Sequence, residues 1–209
     1  QILAFDIYGT LLDTGSISTA VAEQLMLSPE KALELSLLWR RLQLEYTFRL
    51  NSMGYFEPFD VVTYKSFLHA AVESGYDVSS TTAAAVCEAY QRLGAFPDAV
   101  QALTELRNSD TVDVLVFSNG THALQMVNSA LDAASLAPLV PNQYLVNSVQ
   151  KYKPAFEVYH GLLRSLGKVD SPRDVWLISG NPFDISGARS VGMSAVWVNR
   201  AGKEWPDKL

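Results

Sequence analysis

Two different patterns of apolar and polar positions divide the chain into two parts. After residue 96, short apolar runs rich in β-branched residues alternate with stretches of helical periodicity, a pattern that is typical of βαβ units and a parallel sheet. Strands are predicted at residues 2–5, 112–117, 144–146, 175–178 and 195–198. Helices are predicted at residues 98–107, 122–130, 154–166 and 184–191. The pattern therefore indicates an α/β fold with a doubly wound parallel sheet.

The segment between the first strand and residue 96 is almost entirely helical in pattern. Helices are predicted at residues 18–26, 29–49, 59–72 and 81–93. The second of these begins at Ser28-Pro29, with serine as the N-cap and proline at the first helical position. We therefore predict a helical domain at 14–95 that interrupts a core domain made of 1–13 and 96–209.

Composition and charge narrow the class of protein. A chain of 209 residues with 48% hydrophobic content can bury a sizeable core. The net charge of −6, from 16 basic and 22 acidic residues without long runs of either sign, gives no electrostatic footprint for nucleic acid. No apolar run reaches the length of about 18 residues that a membrane span needs. The opening segment reads as a strand rather than a secretion signal, so a cytoplasmic protein without nucleic-acid or membrane partners is expected.

Cysteine and histidine give no sign of a metal or disulfide site. Cys87 is the single cysteine, lies in an apolar helical run and is predicted to be a packing residue. His69, His122 and His160 lack metal-ligand spacing, so surface or packing positions are expected for them.

Polar and charged residues follow the predicted strands at their carboxyl ends. Asp6 ends the first strand, Ser118-Asn119-Gly120 ends the second, Lys153 follows the third, and the segment 179–184 ends the fourth. The carboxyl ends of parallel strands share one edge of a sheet, where open α/β sheets bind their ligands. We therefore predict a site at this edge, with the helical insertion over it.

These motifs resemble the metal-independent (type II) L-2-haloacid dehalogenases of the haloacid dehalogenase superfamily. Tyr8 is informative, because phosphatases of the superfamily carry a second aspartate two residues after the nucleophile to protonate an alkoxide, which a halide does not need. The resemblance covers essentially the whole chain and implies a Rossmann-like core with an inserted helical cap. It rests on Tyr8, Trp39-Arg40, Gln43-Leu44-Glu45-Tyr46-Thr47, Phe59, Ser118-Asn119-Gly120, Tyr152-Lys153-Pro154, Tyr159, Ser179, Asn181, Asp184 and Asn199-Arg200.

The resemblance implies hydrolytic dehalogenation of short L-2-haloacids through an aspartyl ester on Asp6, without metal or cofactor. Lys153 is expected to keep Asp6 ionised, and Asp184 is a candidate for activating water. The catalytic residues implied are Asp6, Lys153, Asp184, Arg40, Asn181 and Ser179. The substrate-binding residues implied are Tyr8, Ser118, Asn119, Leu44, Phe59, Tyr159 and Phe183.

The two halves of the substrate require different residues. Ser118 and Asn119 precede a predicted helix, which suits them to hold the substrate carboxylate. Arg40 is expected to stabilise the departing halide within an aromatic wall. Three departures from the family pattern, Arg41 for glutamine, Gly180 for serine and Phe183 for tryptophan, are expected to affect substrate size and halide preference.

Three alternatives stay open on the sequence. The same Asp6 displacement opens the ring of azetidine-2-carboxylate in some relatives. The positive charge of Arg40 argues against this substrate, because a cation stabilises a departing halide but not a ring amine. A magnesium phosphatase retains two carboxylates, Asp6 and Asp184, but is disfavoured by Tyr8. A non-catalytic scaffold is the third. The expected partners are a small anionic 2-substituted carboxylate and, from the apolar cap helices and the resemblance, a second copy of the chain in a homodimer.

Overall fold

The computed structural model of the protein describes residues 1–120 and 123–209. Its strands form one parallel sheet in the order β3-β2-β1-β4-β5. Their bounds are β1 Ile2–Phe5, β2 Asp113–Ser118, β3 Asn142–Leu145, β4 Val175–Ser179 and β5 Ser194–Trp197. β1 lies at the centre, with Ile2 in register with Asp113 of β2 and Val175 of β4. The predicted α/β class with a parallel sheet is confirmed.

Helices connect the strands and fill the segment after β1. Their bounds are α1 Ile17–Leu25, α2 Pro29–Met53, α3 Phe59–Glu73, α4 Ser80–Ala89, α5 Pro97–Arg107, α6 Ala123–Ala133, α7 Phe156–Ser165 and α8 Pro182–Ser190. Within the described part of the chain, no helix is long and apolar enough to cross a membrane, not even the 25 residues of α2.

The chain divides into two compact units. The first consists of Gln1–Leu12, Ala95–Asn119 and Ser135–Leu209, and it contains the sheet with α5, α7 and α8. The second consists of Asp13–Gly94 and Gly120–Ala134, and it contains α1 to α4 with α6. Fully buried side chains of the sheet strands form the interior of the first unit, among them Ala4, Val116, Phe117 and Leu177.

In the second unit, α2 packs against α1 and α3 around the fully buried Trp39. The Trp39 ring lies 4.8 Å from that of Phe67 and 5.1 Å from that of Tyr90. The predicted start of α2 is confirmed: the Ser28 hydroxyl accepts a hydrogen bond from the Lys31 N–H at 3.4 Å, ahead of Pro29.

Several predicted helix bounds were wrong. α4 ends at Ala89 rather than at residue 93, because residues 90–92 tighten into a 3₁₀ turn. α7 begins at Phe156 rather than at residue 154, because the Ala155 N–H closes a turn onto the Tyr152 carbonyl at 2.9 Å. The predicted helix start at residue 122, and with it the expectation for His122, lies outside the described residues.

The cysteine and the other two histidines take ordinary packing or surface positions. Cys87 is partly buried, and burial raises the pKa of its thiol to about 12, so it stays protonated at neutral pH. The Nδ1 atom of His69 is 3.0 Å from the Tyr46 hydroxyl, and the ring of His160 stacks on Phe156.

Candidate active site

Asp6 lies directly after β1, and a tight turn follows it. Gly9 adopts φ 82°, a left-handed conformation that glycine reaches without steric cost. The turn is closed by the Thr10 and Leu11 N–H groups, which donate to the Ile7 carbonyl at 3.1 and 2.8 Å. It brings the Thr10 side chain back to Asp6, where the hydroxyl donates to Oδ2 at 2.8 Å.

Each oxygen of the Asp6 carboxylate has a different environment. Oδ2 accepts hydrogen bonds from the Thr10 hydroxyl and from Nδ2 of Asn181, both at 2.8 Å. Oδ1 is 3.2 Å from the ammonium of Lys153. The side chain is 8% exposed, so the carboxylate keeps a small opening to solvent. The three donors hold the carboxylate in one orientation.

The Lys153 ammonium lies between two carboxylates. Besides Asp6, it contacts Oδ2 of Asp184 at 2.8 Å and the Phe117 carbonyl at 2.8 Å. Its side chain is 1% exposed. The backbone N–H of Lys153 donates to Oδ1 of Asn119 at 2.9 Å, which ties the segment after β3 to the end of β2. Lys151, by contrast, is partly exposed and 4.0 Å from Glu157.

Asp184 lies in the first turn of α8 and is fully buried. Its Oδ1 accepts the Tyr159 hydroxyl at 2.7 Å. Burial raises the pKa of the Asp184 carboxyl, the nearby charge of Lys153 opposes that rise, and the charge of Asp6 adds to it. Burial and the adjacent Asp184 also raise the pKa of Tyr159 well above its ordinary value. Tyr159 was predicted to line the substrate pocket. The contact that the structure shows for its hydroxyl is the hydrogen bond to Asp184.

Four more predicted residues belong to the first unit: Ser118, Ser179, Tyr8 and Phe183. Ser118 is the last residue of β2 and is fully buried. The Ser179 hydroxyl accepts the Asn181 N–H at 3.1 Å, and the Tyr8 carbonyl accepts Nδ2 of Asn181 at 3.0 Å. Phe183 is partly exposed in the first turn of α8.

Three predicted residues belong to the helical unit. Arg40 is partly buried on α2, and its Nη1 donates to Oε1 of Gln43 at 2.7 Å. Leu44 is partly buried on the same helix. Phe59 is the first residue of α3 and is 1% exposed.

Thr10 contacts Asp6 but was missed in the sequence. The Gly180 N–H donates to the Thr10 Oγ1 at 2.9 Å, so the hydroxyl proton of Thr10 is left for Asp6. A Cβ at position 180 would collide with the Gly9 carbonyl in this structure, so the serine of the family pattern would require the turn at Gly9 to shift. A hydroxyl residue four positions after a strand-end aspartate, across a glycine turn, was the available signal.

The two carboxylates of the site, Asp6 and Asp184, both contact the Lys153 ammonium. They therefore do not form an open set of oxygen ligands. Among residues 1–120 and 123–209, no group of three or more His, Cys, Asp or Glu side chains is arranged to hold a metal ion.

Comparison with known proteins gives consistent relatives. A family model described as haloacid dehalogenase-like hydrolase matches residues 1–192. The chain is 32% identical over 200 residues to an (S)-2-haloacid dehalogenase of Pseudomonas sp. (strain YL), and the match covers 96% of this chain and 83% of that protein. It is 30% identical over 205 residues to haloacetate dehalogenase H-2 of Moraxella sp. (strain B), and this match covers 97% of this chain and 87% of that protein.

Solved structures agree with these relatives. The L-2-haloacid dehalogenase of Xanthobacter autotrophicus with chloropropionic acid covalently bound has a TM-score of 0.85 and 29% sequence identity, over 95% of this chain and 77% of that chain. The resemblance seen in the sequence is thus confirmed, and the chain belongs to the haloacid dehalogenase-like hydrolase family, where its relatives include (S)-2-haloacid dehalogenases.

Proposed function

We propose that the protein hydrolyses short L-2-haloacids to 2-hydroxy acids through a covalent ester on Asp6. The observation that carries the proposal is the Asp6 carboxylate, which lies directly after β1 and has Lys153, Thr10 and Asn181 as its donors. The relatives named as (S)-2-haloacid dehalogenases, and the related structure with chloropropionic acid covalently bound, support the same chemistry.

In the first step, Oδ1 of Asp6 attacks C2 of the substrate. Oδ2 has two hydrogen-bond donors, whereas within the described part of the chain Oδ1 faces only the Lys153 ammonium at 3.2 Å, which leaves its electron pairs more available. The carbon–oxygen bond forms as the carbon–halogen bond breaks, and the halide leaves with the bonding electrons. Since the leaving group takes no proton, Tyr8 in place of a second acid is sufficient. A single displacement at carbon inverts C2.

In the second step, water attacks the ester carbonyl carbon of Asp6, and the 2-hydroxy acid leaves. The carbonyl oxygen is then Oδ2, so the donors already on it, Thr10 and Asn181, are suited to stabilise the oxyanion that develops. One proton of the water ends on the product hydroxyl and the other must be accepted by a base. Asp184 is our candidate, because its raised pKa makes it a better proton acceptor than an ordinary aspartate.

The two ends of the substrate are assigned to different parts of the chain. We propose that Ser118 and Asn119, at the strand end before α6, hold the substrate carboxylate. Arg40 supplies the cation for the departing halide, since a fixed charge lowers a barrier most where charge develops only in the transition state. The helical segment 14–95 would act as the cap, and the apolar pocket walls are assigned to Tyr8, Leu44, Phe59, Tyr159 and Phe183.

The reaction is proposed to need no metal, because Lys153 already supplies a cation between Asp6 and Asp184. A phosphate monoester dianion would approach these carboxylates without a compensating ion. Each unit-charge contact at about 4 Å costs roughly 4 kcal/mol at an effective dielectric of 20. Phosphatase activity should therefore be poor.

A homodimer and a cytoplasmic location complete the proposal. Large apolar side chains are exposed on the helical unit, with Leu37 of α2 61% and Val72 of α3 75% accessible, and a homodimer interface on this unit would bury them. The single cysteine suits a reducing compartment. Light scattering on the purified protein tests the dimer, and Leu37→Glu should shift it toward monomer if α2 forms the interface.

The test of the activity is halide release from L-2-chloropropionate. We expect release that survives EDTA, inversion at C2, and loss of release in Asp6→Asn. Asp13→Asn is the matched control, because Asp13 caps a turn by accepting the Gly15 N–H and asparagine caps equally well. A panel of D-2-chloropropionate, azetidine-2-carboxylate and p-nitrophenyl phosphate with magnesium separates the alternatives. Wild-type release by Asp6→Asn would remove Asp6 from its role.

A further inference from the structure

The Gln43 side chain connects three segments of the helical unit, although it is fully buried. It lies on α2, one helical turn after Arg40, so the two side chains share a face of the helix. Its Oε1 accepts from Nη1 of Arg40 at 2.7 Å and from the Tyr90 hydroxyl at 3.2 Å. Its Nε2 donates to the Thr63 hydroxyl of α3 at 2.7 Å. The Gln43 amide therefore makes three specific hydrogen bonds in addition to its packing contacts.

The hydrogen-bond directions leave one orientation for this amide. The Thr63 hydroxyl donates to the Phe59 carbonyl at 2.7 Å, so it can only accept from Gln43. Nε2 of Gln43 therefore faces Thr63, and Oε1 faces Arg40. A rotated amide would direct an N–H group at the guanidinium, which has donors only. Thr63 thus ensures that Arg40 meets an acceptor.

The surroundings of the amide are rigid. Nε1 of Trp39 donates to the Thr63 carbonyl at 3.0 Å and contacts the Ser66 hydroxyl at 3.2 Å. The Trp39 ring in turn packs on the ring of Tyr90 at 5.1 Å. These contacts fix α2, α3 and Tyr90 around the amide. Gln43 therefore presents its oxygen at a defined place for the guanidinium of Arg40.

We propose that Gln43 is a positioning residue for the guanidinium of Arg40, and that Thr63 sets the direction in which it acts. The inference rests on the proposed function, in which Arg40 stabilises the departing halide. An arginine that must find its place during the reaction loses the benefit of a preorganised charge, because it pays the ordering entropy at that moment. Gln43 removes this requirement without itself touching the substrate.

The test compares two leaving groups in Gln43→Met, which keeps the volume of the side chain but lacks the acceptor. Steady-state kcat and KM are measured with L-2-chloropropionate and L-2-bromopropionate. We expect kcat for the chloro substrate to fall roughly 10- to 100-fold, as a misplaced group does, with little change in KM. The loss should be smaller for bromide, which leaves more easily. Arg40→Lys should change the chloride-to-bromide ratio in the same direction.

A double-mutant cycle and two controls separate positioning from loss of stability. In the Arg40→Lys background, Gln43→Met should add little, because the shared interaction is already gone. Ser66→Ala, which removes a buried hydroxyl of the same core without touching the Gln43 amide, should keep the wild-type ratio. Thr63→Val should shift the chloride-to-bromide ratio as Gln43→Met does. Thr63→Ser, which keeps the hydroxyl, should have the wild-type ratio. This pair decides the question if Gln43→Met fails to fold.

Three results would overturn the inference. The first is a wild-type chloride-to-bromide ratio in Gln43→Met, or in Thr63→Val where Gln43→Met does not fold. The second is full additivity in the cycle, and the third is an equal shift in Ser66→Ala. With any of these results, the proposed function remains supported as long as the wild-type protein releases halide. A wild type that releases no halide is different, since the proposed function then fails and the positioning role falls with it.

Discussion

The ammonium of Lys153 lies 3.2 Å from Oδ1 of Asp6, although the two residues are 147 positions apart in the chain. The parallel sheet accounts for this, because β1 and β3 end on the same edge and the segment after β3 turns back toward its centre. The same ammonium reaches Asp184 at 2.8 Å, and all three side chains are almost fully buried. Two buried carboxylates therefore depend on one cation.

Replacing Lys153 by methionine should destabilise the protein and abolish the chemistry. Removal of one partner from a buried ionic group leaves uncompensated charge, which costs about 3–5 kcal/mol. Oδ1 of Asp6 should then lose the ammonium that holds it in place, and halide release should fall at least about 10²-fold. Urea denaturation and a halide assay measure the two effects.

Lys151→Met is the matched control for that variant. Lys151 is two residues away, partly exposed and 4.0 Å from Glu157, and exposed pairs contribute about 1 kcal/mol or less. Stability and turnover should stay near those of the wild type. Equal losses in Lys151→Met and Lys153→Met would contradict a special role for the buried ammonium.

Thr10→Val should impair the hydrolysis of the ester more than its formation. The substitution keeps the volume but removes the donor to Oδ2 of Asp6, and with it one of the two groups proposed to stabilise the oxyanion. It also leaves the Gly180 N–H without its acceptor, at a cost of about 1–3 kcal/mol. In a single-turnover experiment, halide release should precede product release, and mass spectrometry should detect the propionate ester on Asp6.

Thr10→Ser retains the hydroxyl and should hydrolyse the ester at close to the wild-type rate. The role assigned to Thr10 is wrong if Thr10→Val releases halide and product together at an unchanged rate.

The sequence predicted the parts of the site that follow from periodicity. Asp6, Asn181 and Asp184 follow strands, and Lys153 follows the β3 segment, so the parallel sheet alone gathers them. Contacts that depend on how loops and side chains pack were not predictable in this way. The return of Thr10 to Asp6 requires the actual turn at Gly9, and the direction of the Tyr159 hydroxyl requires the actual packing of α7 against α8.

The helical unit gives the same lesson. Periodicity predicted the helices α2 and α3, which pack against each other in the structure. The polar contact inside that interface, from Gln43 to Thr63, joins residues 20 positions apart and has no periodic signature. The resemblance drew attention to Gln43 as part of a string, but its partners became visible only in the structure.

Gly187→Ala should disturb Asp184 through Tyr159. A Cβ at position 187 would lie 2.6 Å from Cε2 of Tyr159 and closer still to its hydroxyl, and the ring is fully buried. Overpacking of this kind costs about 1–3 kcal/mol. Because Tyr159 donates to Asp184, turnover should fall as well.

Urea denaturation and halide release check this variant against Gly94→Ala. A Cβ at position 94 meets no atom within 4 Å, so the control should be neutral or slightly stabilising. A Gly187→Ala protein with wild-type stability would show that Tyr159 has room to move.

The ion pair between Asp98 and Arg200 should make part of the stability depend on pH. Nε of Arg200 donates to both oxygens of Asp98, at 2.8 and 3.1 Å, and Nη2 donates to the Thr10 carbonyl at 2.8 Å. The hydrogen bond from Arg200 lowers the pKa of Asp98 below its ordinary value. A lowered folded-state pKa stabilises the protein above the unfolded pKa of about 3.9, and the benefit is lost as the pH falls through the folded value.

Asp98→Asn should therefore be less stable than the wild type at pH 7, and the difference should shrink as the pH falls below about 3.9 and vanish below the lowered folded-state pKa of Asp98. Because the Asp98 side chain is 57% exposed, the difference at pH 7 should be about 1 kcal/mol or less and should shrink in high salt. Urea midpoints across the acid range measure it, with Asp110→Asn at an exposed position as the control. A difference that stays constant with pH would mean that asparagine acts by packing or hydrogen bonding and that the charge of Asp98 is irrelevant.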